Sequence, residues 1–109
     1  SPYMEPAAER LSAVLERTDF TTPAFPVYAN STGRPVEDPA RQLSEQLVQP
    51  VQFAATLEQM AADGITTFIH VGPGDVTAGL VKRTLQDAVV HVVSDLGGIA
   101  TVVSDPSVQ

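Results

Sequence analysis

Two short β-prone runs, Ile65–Val71 (ITTFIHV) and Val89–Val93 (VVHVV), constrain this chain more than any other feature. Each has strand length and is rich in β-branched or aromatic residues. The second is almost continuously apolar, as expected of a strand covered on both faces. Between them lie Gly72-Pro73-Gly74-Asp75, a turn, and a helix-forming stretch from about Val76 to Leu85. Two strands joined through a helix pair side by side in parallel, with a right-handed crossover. The chain is therefore read as α/β.

The flanking segments fit that class. Met4, Ala8, Leu11, Val14 and Leu15 recur at helical spacing, and Pro6 suits a first turn, so a helix is expected from about Glu5 to Arg17. Phe25–Asn30 is apolar and β-prone and runs into the turn signal Ser31-Thr32-Gly33, so a third strand is expected there, with Pro26 at its start. Asp38-Pro39 is an N-cap followed by a first-turn proline and opens a short helix to about Leu47. Pro50 starts another, with Phe53, Ala54, Leu57, Met60 and Ala61 on one face and Asp63-Gly64 at its end. About three parallel strands with flanking helices make a thin sheet, so this reads as a segment of a larger α/β domain. Residues 1–94 are assigned to that segment. Residues 95–109, with Gly97-Gly98 and Asp105-Pro106 and no sustained period, are expected to form a flexible tail.

Composition removes several classes of function. The 109 residues carry a net charge of -7 with six Lys and Arg in all, only Lys82-Arg83 being adjacent, so nucleic acid is not an expected partner. No apolar run is long enough to span a membrane, and the first residues do not read as a secretory signal. A cytoplasmic location is the default expectation. There is no cysteine, hence no disulfide, thiolate metal site or cysteine nucleophile.

Candidate chemistry in the residues themselves is sparse. The Gly-Pro-Gly turn sits at the carboxyl end of a strand and before a helix N-terminus, where open α/β sheets collect ligands; a tight structural turn is the alternative. His70 and His91 each fall in a strand without a nucleophile nearby in sequence, and the ordinary reading is a core or half-exposed histidine. No metal site is expected, because neither His-x-His nor HExxH spacing occurs. None of the serines lies in a G-x-S-x-G elbow, so no nucleophile is nominated.

Four segments in order resemble the malonyl-CoA:acyl-carrier-protein transacylase family, which is related to the acyltransferase domains of polyketide synthases. Ser1-Pro2-Tyr3-Met4-Glu5-Pro6-Ala7-Ala8 resembles the family's His-Ser-Pro-Leu-Met and the helix after it. Pro26–Gly33 resembles its Val-x-x-Asn-x-x-Gly, and Glu45–Phe53 resembles its Gln-Leu-x-x-Pro-Val-x-Trp. Thr67–Gly74 resembles its Glu-x-Gly-Pro-Gly strand and turn, and Leu80–Arg83 continues the match. Three positions depart from the pattern. His70 stands for a glutamate and Phe53 for a tryptophan, both read as packing changes; Asp75 stands for a common lysine and weakens any contact of that loop with coenzyme A phosphates.

The resemblance implies the C-terminal segment of an α/β-hydrolase-like acyltransferase subdomain. It also implies an activity: transfer of malonyl from coenzyme A to the phosphopantetheine thiol of acyl carrier protein in fatty-acid biosynthesis, through an acyl-serine. The family's serine elbow, its histidine base and the arginine that pairs with the malonyl carboxylate are expected in an N-terminal part, and these residues alone are expected to be inactive. Gln46 matches the family's glutamine whose main-chain carbonyl orients the histidine, so Gln46→Ala should matter less than a change in local backbone. Ser1, Asn30 and Val76 match positions near the acyl pocket. Malonyl-CoA, acyl carrier protein and the N-terminal part are the implied partners, with no cofactor beyond the coenzyme A thioester as substrate. A polyketide synthase acyltransferase piece, a non-catalytic α/β interaction module and a small-molecule binder using the Gly-Pro-Gly loop stand as alternatives.

Overall fold

The computed structural model describes residues 1–108. After a single 3₁₀ turn, Pro2–Met4, the elements run α1 (Glu5–Leu15), α2 (Pro39–Glu45), α3 (Phe53–Ala62), β1 (Thr67–Val71), α4 (Val76–Thr84), β2 (Val89–Val93) and α5 (Leu96–Val103). The chain divides into two compact units, one from Ser1 to Thr56 and the other from Leu57 onward. The expected division into a 1–94 segment and a tail differs from this boundary.

In the first unit α1 packs against α2. Leu15 and Ala29 are buried there, together with the polar side chains of Gln42 and Thr56. The start of α2 is fixed by two side chains. Asp38 accepts from the Arg41 backbone N–H (3.2 Å), and Gln42 Oε1 accepts from the backbone N–H groups of Glu37 (2.9 Å) and Asp38 (3.1 Å). A buried amide oxygen is thereby satisfied by the donors that a helix start leaves free.

The second unit contains the sheet. β1 and β2 pair in parallel, Thr67 opposite Val89 through Val71 opposite Val93. Helix α4 contacts both strands and α5 contacts β2. Leu57, Ala78, Val81, Val93 and Val102 are buried. The α/β class and parallel pairing are as read from the two apolar runs.

Two expectations are corrected. The third strand, Phe25–Asn30, does not form; the segment contributes only an isolated antiparallel bridge between Tyr28 and Pro35. Its backbone groups are used locally. Ala29 N–H donates to Arg34 O (2.8 Å), Gly33 N–H to Ala29 O (2.9 Å) and Val36 N–H to Val27 O (2.7 Å), closing a loop on itself. The described sheet therefore has two strands. The expected flexible tail instead carries α5, capped by Asp95, whose side chain accepts from Gly98 N–H at 2.9 Å. Glycine serves close packing here: a Cβ on Gly98 would lie 3.3 Å from the Val93 Cα.

Candidate functional site

Three of the four candidate residues, Ser1, Asn30 and Gln46, belong to the first unit, and Val76 belongs to the second. Ser1 is exposed and precedes the 3₁₀ turn, its carbonyl accepting from Met4 N–H at 2.9 Å.

Asn30 sits in a turn clamped to the start of α3. The Asn30 carbonyl accepts from Gln52 N–H (2.8 Å), and the Ser31 carbonyl accepts from Gln52 Nε2 (3.0 Å). Gly33, at φ +66°, completes the turn; a Cβ there would stand 3.2 Å from the Thr56 N and 3.3 Å from the Ala55 carbonyl carbon. Only glycine meets both demands, a left-handed backbone and contact with a helix backbone. Gln52 was not singled out by the sequence reading. Its position beside Pro50-Val51, just before a helix, was the available signal. The Ser31 hydroxyl is buried without a hydrogen-bond partner.

Gln46 is the C-cap of α2, half-buried, with its own N–H donated to the Gln42 carbonyl at 3.1 Å. The carbonyls around it are accounted for one by one. Ser44 O receives Leu47 N–H, and Glu45 O receives both Val48 and Gln49 N–H at 3.1 Å. The next acceptor in that order is Gln46 O, and its natural donor four residues on would be residue 50. Residue 50 is proline, which has no N–H. Among the described residues the Gln46 carbonyl is thus left with a free acceptor at a helix C-terminus, the negative end of the helix dipole.

Val76, the first residue of α4, is 74% exposed. It lines a cleft of about 350 Å³ with Asp75, Ala78, Gly79, Lys82, Arg83 and Val92. The basic pair lies in the last turn of α4, where the dipole favours cations. Gly72 and Gly74 hold φ values of +139° and +78° in the turn before it. A second cavity, about 420 Å³, lies in the first unit between Phe20, Pro23, Val27, Val36, Pro39 and Leu43, and none of the four candidates lines it.

The histidines are half-buried. His70 Nδ1 is hydrogen-bonded to Thr77 Oγ1, and its Nε2 is buried without a partner. His91 Nε2 lies 3.5 Å from Asp105 Oδ2 and 3.4 Å from Ser107 Oγ. These are the residue types of a catalytic triad, but both contacts fall on one ring nitrogen. A relay needs the carboxylate on one nitrogen and the hydroxyl on the other, so this cluster is not one. The Ser107 hydroxyl and backbone N–H, more than the neighbouring imidazole, hold the Asp105 carboxyl below its ordinary value. Among the described residues no cluster of His, Asp or Glu could hold a metal ion, and no helix is long and apolar enough to cross a membrane.

No family model matches the chain. Individual proteins do. The malonyl CoA-acyl carrier protein transacylase of Bacillus subtilis is 39% identical over 98 residues, covering 87% of this chain and 31% of that protein. The polyketide biosynthesis protein ThaF of Burkholderia thailandensis is 31% identical over 87 residues, 78% of this chain and 8% of ThaF. Among solved structures, the malonyl CoA-acyl carrier protein transacylase of Clostridium perfringens superposes with a TM-score of 0.86 at 30% identity, over 93% of this chain and 33% of that one. A malonyl-transacylase solved in complex with a type II polyketide synthase acyl-carrier protein gives 0.84 at 33% identity, over 90% and 33%.

The two parallel strands with their helices are thus a segment of the larger acyltransferase fold. The chain spans about a third of the length of the curated transacylases it matches. Over that third, by sequence and by fold, it belongs with the malonyl CoA-acyl carrier protein transacylases.

Proposed function

We propose that this chain forms the base-orienting part of a malonyl transferase that moves malonyl from coenzyme A to the thiol of an acyl carrier protein. In this reading a serine outside these 109 residues attacks the thioester carbonyl while a histidine takes its proton. The coenzyme A sulfur leaves and receives that proton. The carrier's pantetheine thiol then gives its proton to the same histidine and attacks the acyl-serine, and the histidine passes that proton to the departing serine oxygen. The observation that supports this chain's share is the free Gln46 carbonyl, whose helical donor is removed by Pro50. An imidazole N–H donated to it would hold the other ring nitrogen toward the serine, a role given to aspartate in serine hydrolases.

Val76 and the Lys82-Arg83 pair extend the reading. Coenzyme A carries phosphates, and the cleft walled by Val76 offers it two cations, Lys82 and Arg83, opposed in part by the Asp75 carboxylate of the same lining. The pair is the one place in this acidic chain where two basic residues adjoin.

The test mixes the 109-residue chain with the remaining two thirds of the Bacillus subtilis relative and measures malonyl transfer from malonyl-CoA to acyl carrier protein. Neither part alone should transfer, and the mixture should. Transfer by this chain alone would sink the proposal, as would a mixture that associates yet stays inactive.

A further inference from the structure

The Gly-Pro-Gly turn is held by a tether that departs from the family pattern. β1 ends at Val71, and the backbone then passes through two glycines with positive φ, Gly72 and Gly74, before α4 begins at Val76. The beginning of α4 has little to fix it. Its N-cap residue, Asp75, makes no side-chain capping hydrogen bond, and Pro73 has no N–H to offer. Two glycines and an uncapped helix start describe a turn free to change conformation.

One side-chain hydrogen bond crosses that turn among the described residues, between His70 Nδ1 and Thr77 Oγ1. Strand alternation puts His70 on the same face of the sheet as Phe68, Val90 and Val92, by the pairing His70 with Val92. Val92 lines the α4 cleft, so this face carries α4. Thr77 is the second residue of α4 and presents its hydroxyl back to the strand. The bond therefore closes a ring through Val71, the whole turn and Val76. The opposite ring nitrogen, Nε2, is buried with no partner. The imidazole is thus kept although one nitrogen goes unsatisfied, a cost that a purely apolar residue would avoid.

We propose that His70 and Thr77 are a positioning pair that staples the Gly72–Asp75 turn and holds Val76 at the mouth of its cleft. The pair deepens the acyl-transfer reading of Val76 and rests on it for what the cleft receives. The staple itself is independent of any substrate. Neither residue is a reacting group.

The experiment is amide hydrogen exchange by NMR on the 109-residue chain and three variants. Thr77→Val keeps the shape of the side chain and removes the hydroxyl. It should speed exchange at Gly79, whose amide is bonded to the Asp75 carbonyl at 2.9 Å across the stapled helix start, by about fivefold, the factor that one net hydrogen bond represents. The Gly72 amide, bonded to the Val93 carbonyl at 3.0 Å in the sheet, should be unchanged. Thr77→Ser should restore slow exchange. His70→Phe should loosen the turn in the same way while leaving global stability unchanged or raised, since it also removes a buried unpaired nitrogen. The imidazole ¹⁵N spectrum gives a second reading, because loss of the Thr77 hydroxyl should alter the Nδ1 shift. The proposal is overturned if Thr77→Val leaves the Gly79 amide as slow as before, or if exchange rises equally at Gly79, at Gly72 and across β1 and β2. Because no substrate is present, these outcomes leave the transfer reaction to stand or fall on its own assay.

Discussion

Pro50→Ala isolates the feature on which the site reading depends. In the order of α2, Gln42 O receives Gln46 N–H and Glu45 O receives Gln49 N–H, both at 3.1 Å. An alanine at 50 supplies the donor that continues the series onto Gln46 O. The new bond is worth about 1 kcal/mol net, so it would be formed about four-fifths of the time. Stability should barely move, because losing proline loosens the unfolded chain by about 0.4–1 kcal/mol in the opposite sense. The carbonyl keeps a second lone pair, so an occupied Gln46 O is a weaker acceptor and not a lost one. In the reconstituted transferase kcat should fall about two- to fivefold, the span from partial to full competition for an acceptor worth ~1 kcal/mol in the transition state. KM for malonyl-CoA should hold. NMR on the same variant should show a newly protected amide at residue 50. Gln46→Ala, which keeps the carbonyl, should leave kcat within about twofold. Protection at residue 50 with unchanged kcat would refute the carbonyl's role. An unprotected amide there would refute the structural argument beneath it.

Other expectations follow from the same contacts. Gly33→Ala forces a Cβ against the α3 backbone at positive φ and should cost about 2 kcal/mol or more in urea unfolding; no loss would mean that the Asn30 turn is not seated as described. Asp38→Ala removes the α2 cap and should cost about 1 kcal/mol by the same measurement. Asp105 has a folded-state pKa below its unfolded one, so its stabilisation is present above the unfolded value and is lost as pH falls through the lowered folded value. Asp105→Asn should flatten that acid limb of a stability–pH curve, with no change between pH 6 and 8 in its shape. Lys82→Ala with Arg83→Ala should raise KM for malonyl-CoA, and the difference from the unaltered protein should shrink as salt rises. A salt-independent effect would remove the cations from substrate binding.

How much of this was legible depends on what held each element together. β2 was read at its observed bounds, and β1, α1 and α4 to within two residues, because each carries its own apolar period or run. Phe25–Asn30 was misread since its β propensity is real but is spent on a local loop, where Ala29 and Val27 pair with Arg34 and Val36. Propensity cannot say which partner a strand will find. α5 was missed for the opposite reason. Gly97-Gly98 and the β-branched residues argue against a helix, and its packing on β2, with Gly98 at the Val93 backbone, overrides them. At the site, Gln46 came from the family pattern, while the reason its carbonyl is free lies in Pro50 and was legible in principle. The Gln52 side-chain clamp on Ser31 and the His70–Thr77 bond link residues 21 and 7 apart, and no periodicity records such pairs.

In the proposed transferase these residues orient and bind while the acyl group is carried on a serine of the complementing part. Intact-mass and peptide mapping of the reconstituted transferase, quenched during turnover with malonyl-CoA, tests it most directly. The malonyl adduct is expected on a serine of the complementing two thirds and none on this chain. A malonyl ester on Thr77, Ser31 or any other residue of the 109 would contradict it.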